Sequence, residues 1–507
     1  MSSNRVYSGA VLGIDAYRVD VEVDMSNGFP AFDLVGLAEG AVKESRVRVR
    51  AALKNAGYPY PLHSRRITIN LAPADIRKDG TGFDLPIAMG LLTALGIVSK
   101  RCLEDHLFIG ELSLDGRLKP VRGVLPIAVM AREKKIRNLL VPRDNAQEAS
   151  VVGGVDVYGF TSLGEVVEFL QGEYECEPVE PMLPEEQSHY EHLDFFDVKG
   201  QNHVKRALEV AASGNHNLLM IGPPGSGKTM LARRMATILP PLHFEESLET
   251  SKIYSVCGLL KDNGLLSERP FRTPHHTISD AGLVGGGVIP KPGEISLAHR
   301  GVLFLDELPE FRRHVLEVLR QPLEEHSVTL ARAAVTLKYP ASFLLIAAMN
   351  PCPCGGASNR CRCTTAEIQR YRARLSGPLL DRIDLHIEVP AVPFQDLSEK
   401  QRGESSEDIR QRVLNARRIQ QDRFQDTYIQ TNAEMGAQHV QTHCDVDESG
   451  LKLLEQAVNR LGMSARAYNR ILKISRTIAD LDGQEHIQNA HIAEAIQYRS
   501  LDRRYLF

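Results

Sequence analysis

Gly222-Pro223-Pro224-Gly225-Ser226-Gly227-Lys228-Thr229 lies between an apolar run, Leu218-Leu219-Met220-Ile221, and a helical pattern from Met230 to Ile238. Strand, glycine-rich loop and helix in that order make a phosphate-binding loop. The glycines let backbone N–H groups converge on the β- and γ-phosphates. The lysine adds a point charge, and the threonine hydroxyl is a ligand for Mg²⁺. The stretch predicts an α/β fold built around ATP, with Gly222 to Thr229 as the binding loop and Thr229 also on the metal. It leaves open what the energy of hydrolysis is used for.

A chain of 507 residues is too long for one core, so several domains are expected. A net charge of −4 gives no global basic field, and contact with nucleic acid would have to come from local patches. The long charge-free runs, Val210 to Gly227 and Tyr339 to Asn359, are broken by Asn, His, Pro and Gly, so no membrane span is expected. No apolar segment follows Met1-Ser2-Ser3-Asn4-Arg5, so no signal peptide is read and a cytoplasmic chain is expected. Of eight cysteines, Cys352, Cys354, Cys361 and Cys363 crowd together.

Residues 1–170 alternate short strands (Val19 to Val23, Ile67 to Leu71, Leu139 to Pro142) with helices (Lys43 to Ala56, Val124 to Lys135). Leu85 to Ser99 reads as a buried helix. Residues 171–192 are rich in Glu and Pro and read as an exposed linker. Residues 193–390 carry the nucleotide chemistry, with the four-cysteine insertion at 352–363. Residues 391–507 are helical: Ile409 to Phe424, Ser449 to Leu461, Arg466 to Leu481 and Ala490 to Ser500.

Val302-Leu303-Phe304-Leu305-Asp306-Glu307 is an apolar strand ending in two carboxylates. Such a run suits the centre of a parallel sheet. Asp306 can hold Mg²⁺ through water, and Glu307 can orient and deprotonate the attacking water. Phe343 to Met349 is a third apolar strand, and Asn350 at its end can reach the lytic water or the γ-phosphate; capping a turn is its plainer role. Arg382, in Leu379-Leu380-Asp381-Arg382-Ile383-Asp384, suits a γ-phosphate presented by a neighbouring subunit, where it would stabilise transition-state charge. The alternative is a salt bridge to Asp381 or Asp384. Arg466, opening a late helix, is a second candidate phosphate contact, and Arg470 one turn along competes for that role.

In this order, Gly222–Thr229, Leu303–Glu307, Asn350, Arg382 and Arg466 resemble the Walker A, Walker B, sensor 1, arginine-finger and sensor 2 elements of the AAA+ ATPases. Phe271-Arg272-Thr273-Pro274-His275-His276-Thr277 and Asn350-Pro351-Cys352-Pro353-Cys354-Gly355 are similar to the magnesium-chelatase branch. Nearly the whole chain resembles the bacterial YifB/ComM family. The resemblance implies an AAA+ core with a helical lid, a homohexameric ring with ATP sites between subunits, and a motor on DNA that moves branch points during recombination and transformation. A chelatase-type or chaperone-type motor acting on a protein partner is the competing reading. Two insertions would face the channel of such a ring. One is 258–296, read as a mobile glycine-rich loop carrying Lys291. The other is 326–338, read as a hairpin with Arg332 near its tip. Lys291 and Arg332 are the candidate DNA contacts. His275 and His276 read as plain polar surface.

Cys352, Cys354, Cys361 and Cys363 offer four thiolates for a tetrahedral Zn²⁺ site, with free thiols or a redox role as alternatives. Ile109 to Val121 and Lys78 to Asp84 resemble the α+β proteolytic domain of Lon, which uses a serine and a lysine. Gly82 stands where the serine belongs and Leu125 where the lysine belongs, so peptide hydrolysis by that chemistry is excluded. Arg46, Arg48, Arg50, Arg65 and Arg66 offer this domain a basic surface, or an ordinary solvated face.

Overall fold

A computed structural model describes residues 4–38, 40–60, 65–182, 190, 192–260, 264–287, 290–331, 336–356, 361–393, 403–461 and 464–499. The chain divides into two units: Met1–Glu185 with His243–Ser267, and Glu186–Leu242 with Glu268–Phe507.

The second unit is built on a parallel sheet of five strands, in the order Phe271–Arg272, Val302–Leu305, Leu344–Met349, Leu218–Ile221, Leu385–Glu388. Both faces are buried. Leu218, Met220, Phe304, Ile346 and Ala348 pack into one core with the helices Asn202–Gly214 and Lys228–Ile238. Leu219, Ile221, Leu303, Leu305, Leu345 and Ala347 pack into the other. Strand side chains alternate between faces, so an unbroken apolar run is what a doubly covered strand requires. Each fully buried leucine or isoleucine contributes about 1.5–3 kcal/mol. The helices Ser406–Arg423, Glu448–Leu461, Ala465–Leu481 and Asn489–Gln497 follow, as periodicity predicts to within a few residues. Among the described residues, no helix is long and apolar enough to cross a membrane.

The first unit carries a seven-stranded mixed sheet in which Asn4–Leu12 and Asp15–Asn27 form a long hairpin. The helix Asp84–Ala94 is buried except at its last residue and covers this sheet, with Gly90 against Val6 and Val23. Arg48 donates to both oxygens of the buried Asp84 carboxylate, at 2.6 and 3.0 Å. It is therefore a structural ion pair and drops out of the expected basic surface. Arg66 is likewise tied to Asp33 at 2.7 Å.

The reading of 258–296 as one mobile loop is corrected at its first part. After the phosphate-loop helix the chain crosses into the first unit, adds the helix Phe244–Cys257, and returns at Glu268. Leu265 is buried beside Val124 and Ala128, and the Leu266 N–H donates to Ser251 Oγ at 2.8 Å. That backbone is pinned by core packing.

Candidate active site

In a parallel sheet with helices on both faces, ligands bind beyond the carboxyl ends of the strands. Here that edge gathers the predicted residues. The turn after Leu218–Ile221 is the phosphate loop, whose Gly227 has φ +88°, a left-handed conformation open to glycine, and opens the helix Lys228–Ile238. Lys228 Nζ donates to the carbonyls of Gly222 at 2.8 Å and Pro223 at 2.9 Å, and to Asn350 Oδ1 at 3.3 Å. Burial pushes its ammonium below the usual lysine range, against the pull of Asp306 and Glu307. Thr229 Oγ1 donates to Asp306 Oδ2 at 2.7 Å, so the two candidate Mg²⁺ ligands already meet. Asp306 Oδ1 accepts the Glu307 N–H at 2.9 Å. Glu307 itself has φ +52°, a strained conformation for a side chain and one that recurs at functional sites.

Sequence reasoning set aside one residue of this edge. His276 Nδ1 stands 3.5 Å from Glu307 Oε2, and the His275 ring lies tilted against it, with ring centroids 4.1 Å apart. The register explains the meeting. Arg272 pairs with Leu303, and four residues beyond each lie His276 and Glu307. The signal was present in the sequence as two motifs each leading off a strand, but only the pairing of those strands makes it readable.

Arg382 lies elsewhere. It precedes Leu385–Glu388, whose first residue pairs with Leu218, so it stands at the amino ends of the strands. The strand Leu218–Ile221, about 10 Å long, separates it from the phosphate loop of its own chain. Its Nη2 donates to Glu324 Oε1 and its Nη1 to the Pro378 carbonyl, both at 2.5 Å. Neither Asp381 nor Asp384 is its ion-pair partner here. Asp384 instead pairs with Arg470 at 3.2 Å and His216 at 3.6 Å, which commits Arg470 to the fold. Arg466 is exposed, and its charge acts on Glu324, the carboxylate partner of Arg382.

The four cysteines converge. Cys352 Sγ lies 3.4 Å from Cys354 Sγ and 3.5 Å from Cys361 Sγ, Cys354 and Cys361 are 3.8 Å apart, and all four sulfurs lie within 4.8 Å of one another. Tetrahedral zinc with bonds of about 2.3 Å sets its sulfurs about 3.8 Å apart, so donor type and spacing both fit. Backbone N–H groups of Arg362 and Gly356 hold the exposed Cys354 thiol down at about 6. Burial raises that of Cys352.

The expected DNA contacts are partly described. Ser327–Ala331 and Thr336–Pro340 form the predicted hairpin; Arg332 lies outside the described residues. Lys291 is exposed on a second small ladder, Gly285–Gly286 with Lys291–Pro292. The two hairpins touch, with Tyr339 Oη donating to the Pro290 carbonyl at 2.6 Å. In the first unit, a side chain at Gly82 would press on Ile109, at 3.0 Å, and Leu125 is fully buried. Neither position expected to match a Lon-type serine or lysine carries a nucleophile or a base: Gly82 is half-buried and Leu125 lies in the apolar core.

Over 99% of this chain and 98% of the relative, the sequence is 47% identical to the competence protein ComM of Haemophilus influenzae. The chain belongs to the ComM/YifB family of magnesium-chelatase-like AAA+ ATPases. Another relative in this family, the uncharacterized protein YifB of Escherichia coli, is 44% identical over 99% of the chain and 98% of its own length. The family models for magnesium chelatase subunit ChlI match residues 194–397 and 21–145, and that for the ChlI C-terminal region matches 403–499. A magnesium-chelatase subunit ChlI from Cyanophora paradoxa is 22% identical over 51% of the chain and 79% of its own length. Membership of this AAA+ family supports ATPase activity, and the sheet edge that gathers Lys228, Thr229, Asp306, Glu307, Asn350 and His276 is the candidate place for it.

Proposed function

We propose that the chain is one subunit of a homohexameric, ATP-driven motor on DNA that moves branch points in recombination and natural transformation. The observation that carries this reading is the separation of Arg382 from the phosphate loop of its own chain. An arginine that stabilises γ-phosphate charge must then come from another copy, and a ring satisfies every site in that way. The contacting hairpins, with Lys291 and Lys338 exposed, are suited to tracking phosphates. The name of the Haemophilus relative, a competence protein, points the same way.

Apart from Arg382 of a neighbouring copy, hydrolysis runs on the groups of one chain. Lys228 balances the phosphate charge. Thr229 and Asp306 would hold Mg²⁺, which would supply electrostatic stabilisation of the phosphoryl group. Glu307 takes the proton of the attacking water, with His276 and Asn350 orienting the reacting groups. Cys352, Cys354, Cys361 and Cys363 would hold a structural Zn²⁺.

The test is ATP turnover with and without a four-way DNA junction, together with branch movement under Mg²⁺-ATP. Stimulation that weakens steeply with added salt is expected. A flat response and no strand exchange would sink the DNA reading and favour a motor acting on a protein partner.

A further inference from the structure

The backbone of Arg382 is anchored to the sheet. Its N–H donates to the Leu379 carbonyl at 2.9 Å, and its carbonyl accepts from Asn217 Nδ2 at 3.2 Å. Asn217 Oδ1 in turn accepts the Leu345 N–H at 2.9 Å. The guanidinium is only 8% exposed, yet its Nε is buried without a hydrogen-bond partner among the described residues. Such a group retains donor capacity for a further anion. Of its two partners, Pro378 belongs to the same turn. The other, Glu324, is 51% exposed and belongs to a different element.

That element leads into the long hairpin. Glu324 lies in the short helix Pro322–Glu325, and His326, with φ +52°, turns the chain directly into Ser327–Ala331. The His326 carbonyl accepts the Ala341 N–H at 2.8 Å, which closes the hairpin at its base. Two residues therefore separate the arginine's carboxylate partner from the first strand of a hairpin whose exposed face carries Thr329, Thr336 and Lys338.

We infer that Glu324 is a clamp on Arg382: it holds the guanidinium within its own chain until displacement of the Ser327–Pro340 hairpin frees it for a neighbouring subunit's nucleotide. The inference rests on the reading of Arg382 as acting between subunits and adds what controls it. A guanidinium bonded to a carboxylate is largely neutralised toward an incoming phosphate, so the clamp keeps turnover low when the hairpin is unoccupied. Glu324 touches no reacting atom and is a positioning residue.

The experiment compares Glu324→Gln, Glu324→Asp and Arg382→Ala with the full-length protein, measuring kcat and KM for ATP with and without a DNA junction. Glu324→Gln is expected to raise kcat without DNA by at least about threefold, to leave KM unchanged, and to shrink the stimulation by DNA correspondingly. Glu324→Asp, which keeps the carboxylate, is expected to return most of the wild-type ratio. A fall in basal kcat for Glu324→Gln, or no change, would overturn the clamp. Arg382→Ala separates the two readings. If it turns over ATP like the wild type, the inter-subunit role of Arg382 fails. If it is inactive while Glu324→Gln behaves as wild type, only the clamp fails. Thermal melting confirms folding, since Glu324 is half exposed and its replacement removes no core contact.

Discussion

Gly355 sits against Pro224: a methyl group on its Cα would lie 2.6 Å from the proline Cγ. Gly355 follows Cys354 in the cysteine loop, and Pro224 is in the phosphate loop. Gly355 also has φ +70°, so a side chain there is doubly opposed, by backbone and by neighbour. The contact joins the four-sulfur cluster to the candidate phosphate loop.

Gly355→Ala is therefore expected to destabilise the second unit by about 1–3 kcal/mol and to weaken nucleotide binding. Cys352→Ser or Cys361→Ser is expected to lower bound zinc well below one per chain and to weaken nucleotide binding as well. Metal analysis and fluorescent-nucleotide titration check both. Zinc loss with unchanged nucleotide affinity would show that the contact transmits nothing.

Glu307 and His276 make a second pair with distinct expected losses. Glu307→Gln should keep ATP binding and lower kcat by about 10²–10⁴-fold, since it removes the proton acceptor. His276→Ala should lower kcat by about tenfold with KM nearly unchanged, because the imidazole positions the carboxylate and leaves the phosphates untouched. Single-turnover hydrolysis measures each. Retained turnover in Glu307→Gln would remove it as the base.

Asp384 sets a pH dependence of stability. Burial raises its pKa, but His216 and Arg470 outweigh burial and hold the carboxyl well below the usual range. With the folded value depressed, its contribution is fully present above the unfolded value of about 3.9 and is lost as pH falls through the folded one. The difference in urea midpoint between wild type and Asp384→Asn should shrink as the pH falls below about 4. A difference that grows toward acid would contradict this sign.

Gly82→Ser combined with Leu125→Lys is expected to yield no peptidase. A serine side chain would press into Ile109, and the lysine would enter a fully buried apolar site, destabilising the first unit by about 3 kcal/mol or more. Casein cleavage and melting temperature test this; any ATP-dependent cleavage would refute it.

The phosphate loop, the carboxylate-ended strand and the lid helices were legible in the sequence because each is a local pattern. Apolar runs mark buried strands, glycines mark the loop, and a period near 3.6 marks the helices. Gly82 and Leu125 were equally legible, since a missing functional group is read from the residue alone. The tertiary structure decided what depends on contacts distant in sequence. Strand register brings His276 to Glu307. Parallel pairing puts Arg382 at the sheet end away from its own phosphate loop and hands it to Glu324. Core packing carries Phe244–Cys257 out of the nucleotide unit into the first one. Local periodicity reports which face of an element is buried; which element covers it is set by packing, and that information is spread over the whole chain.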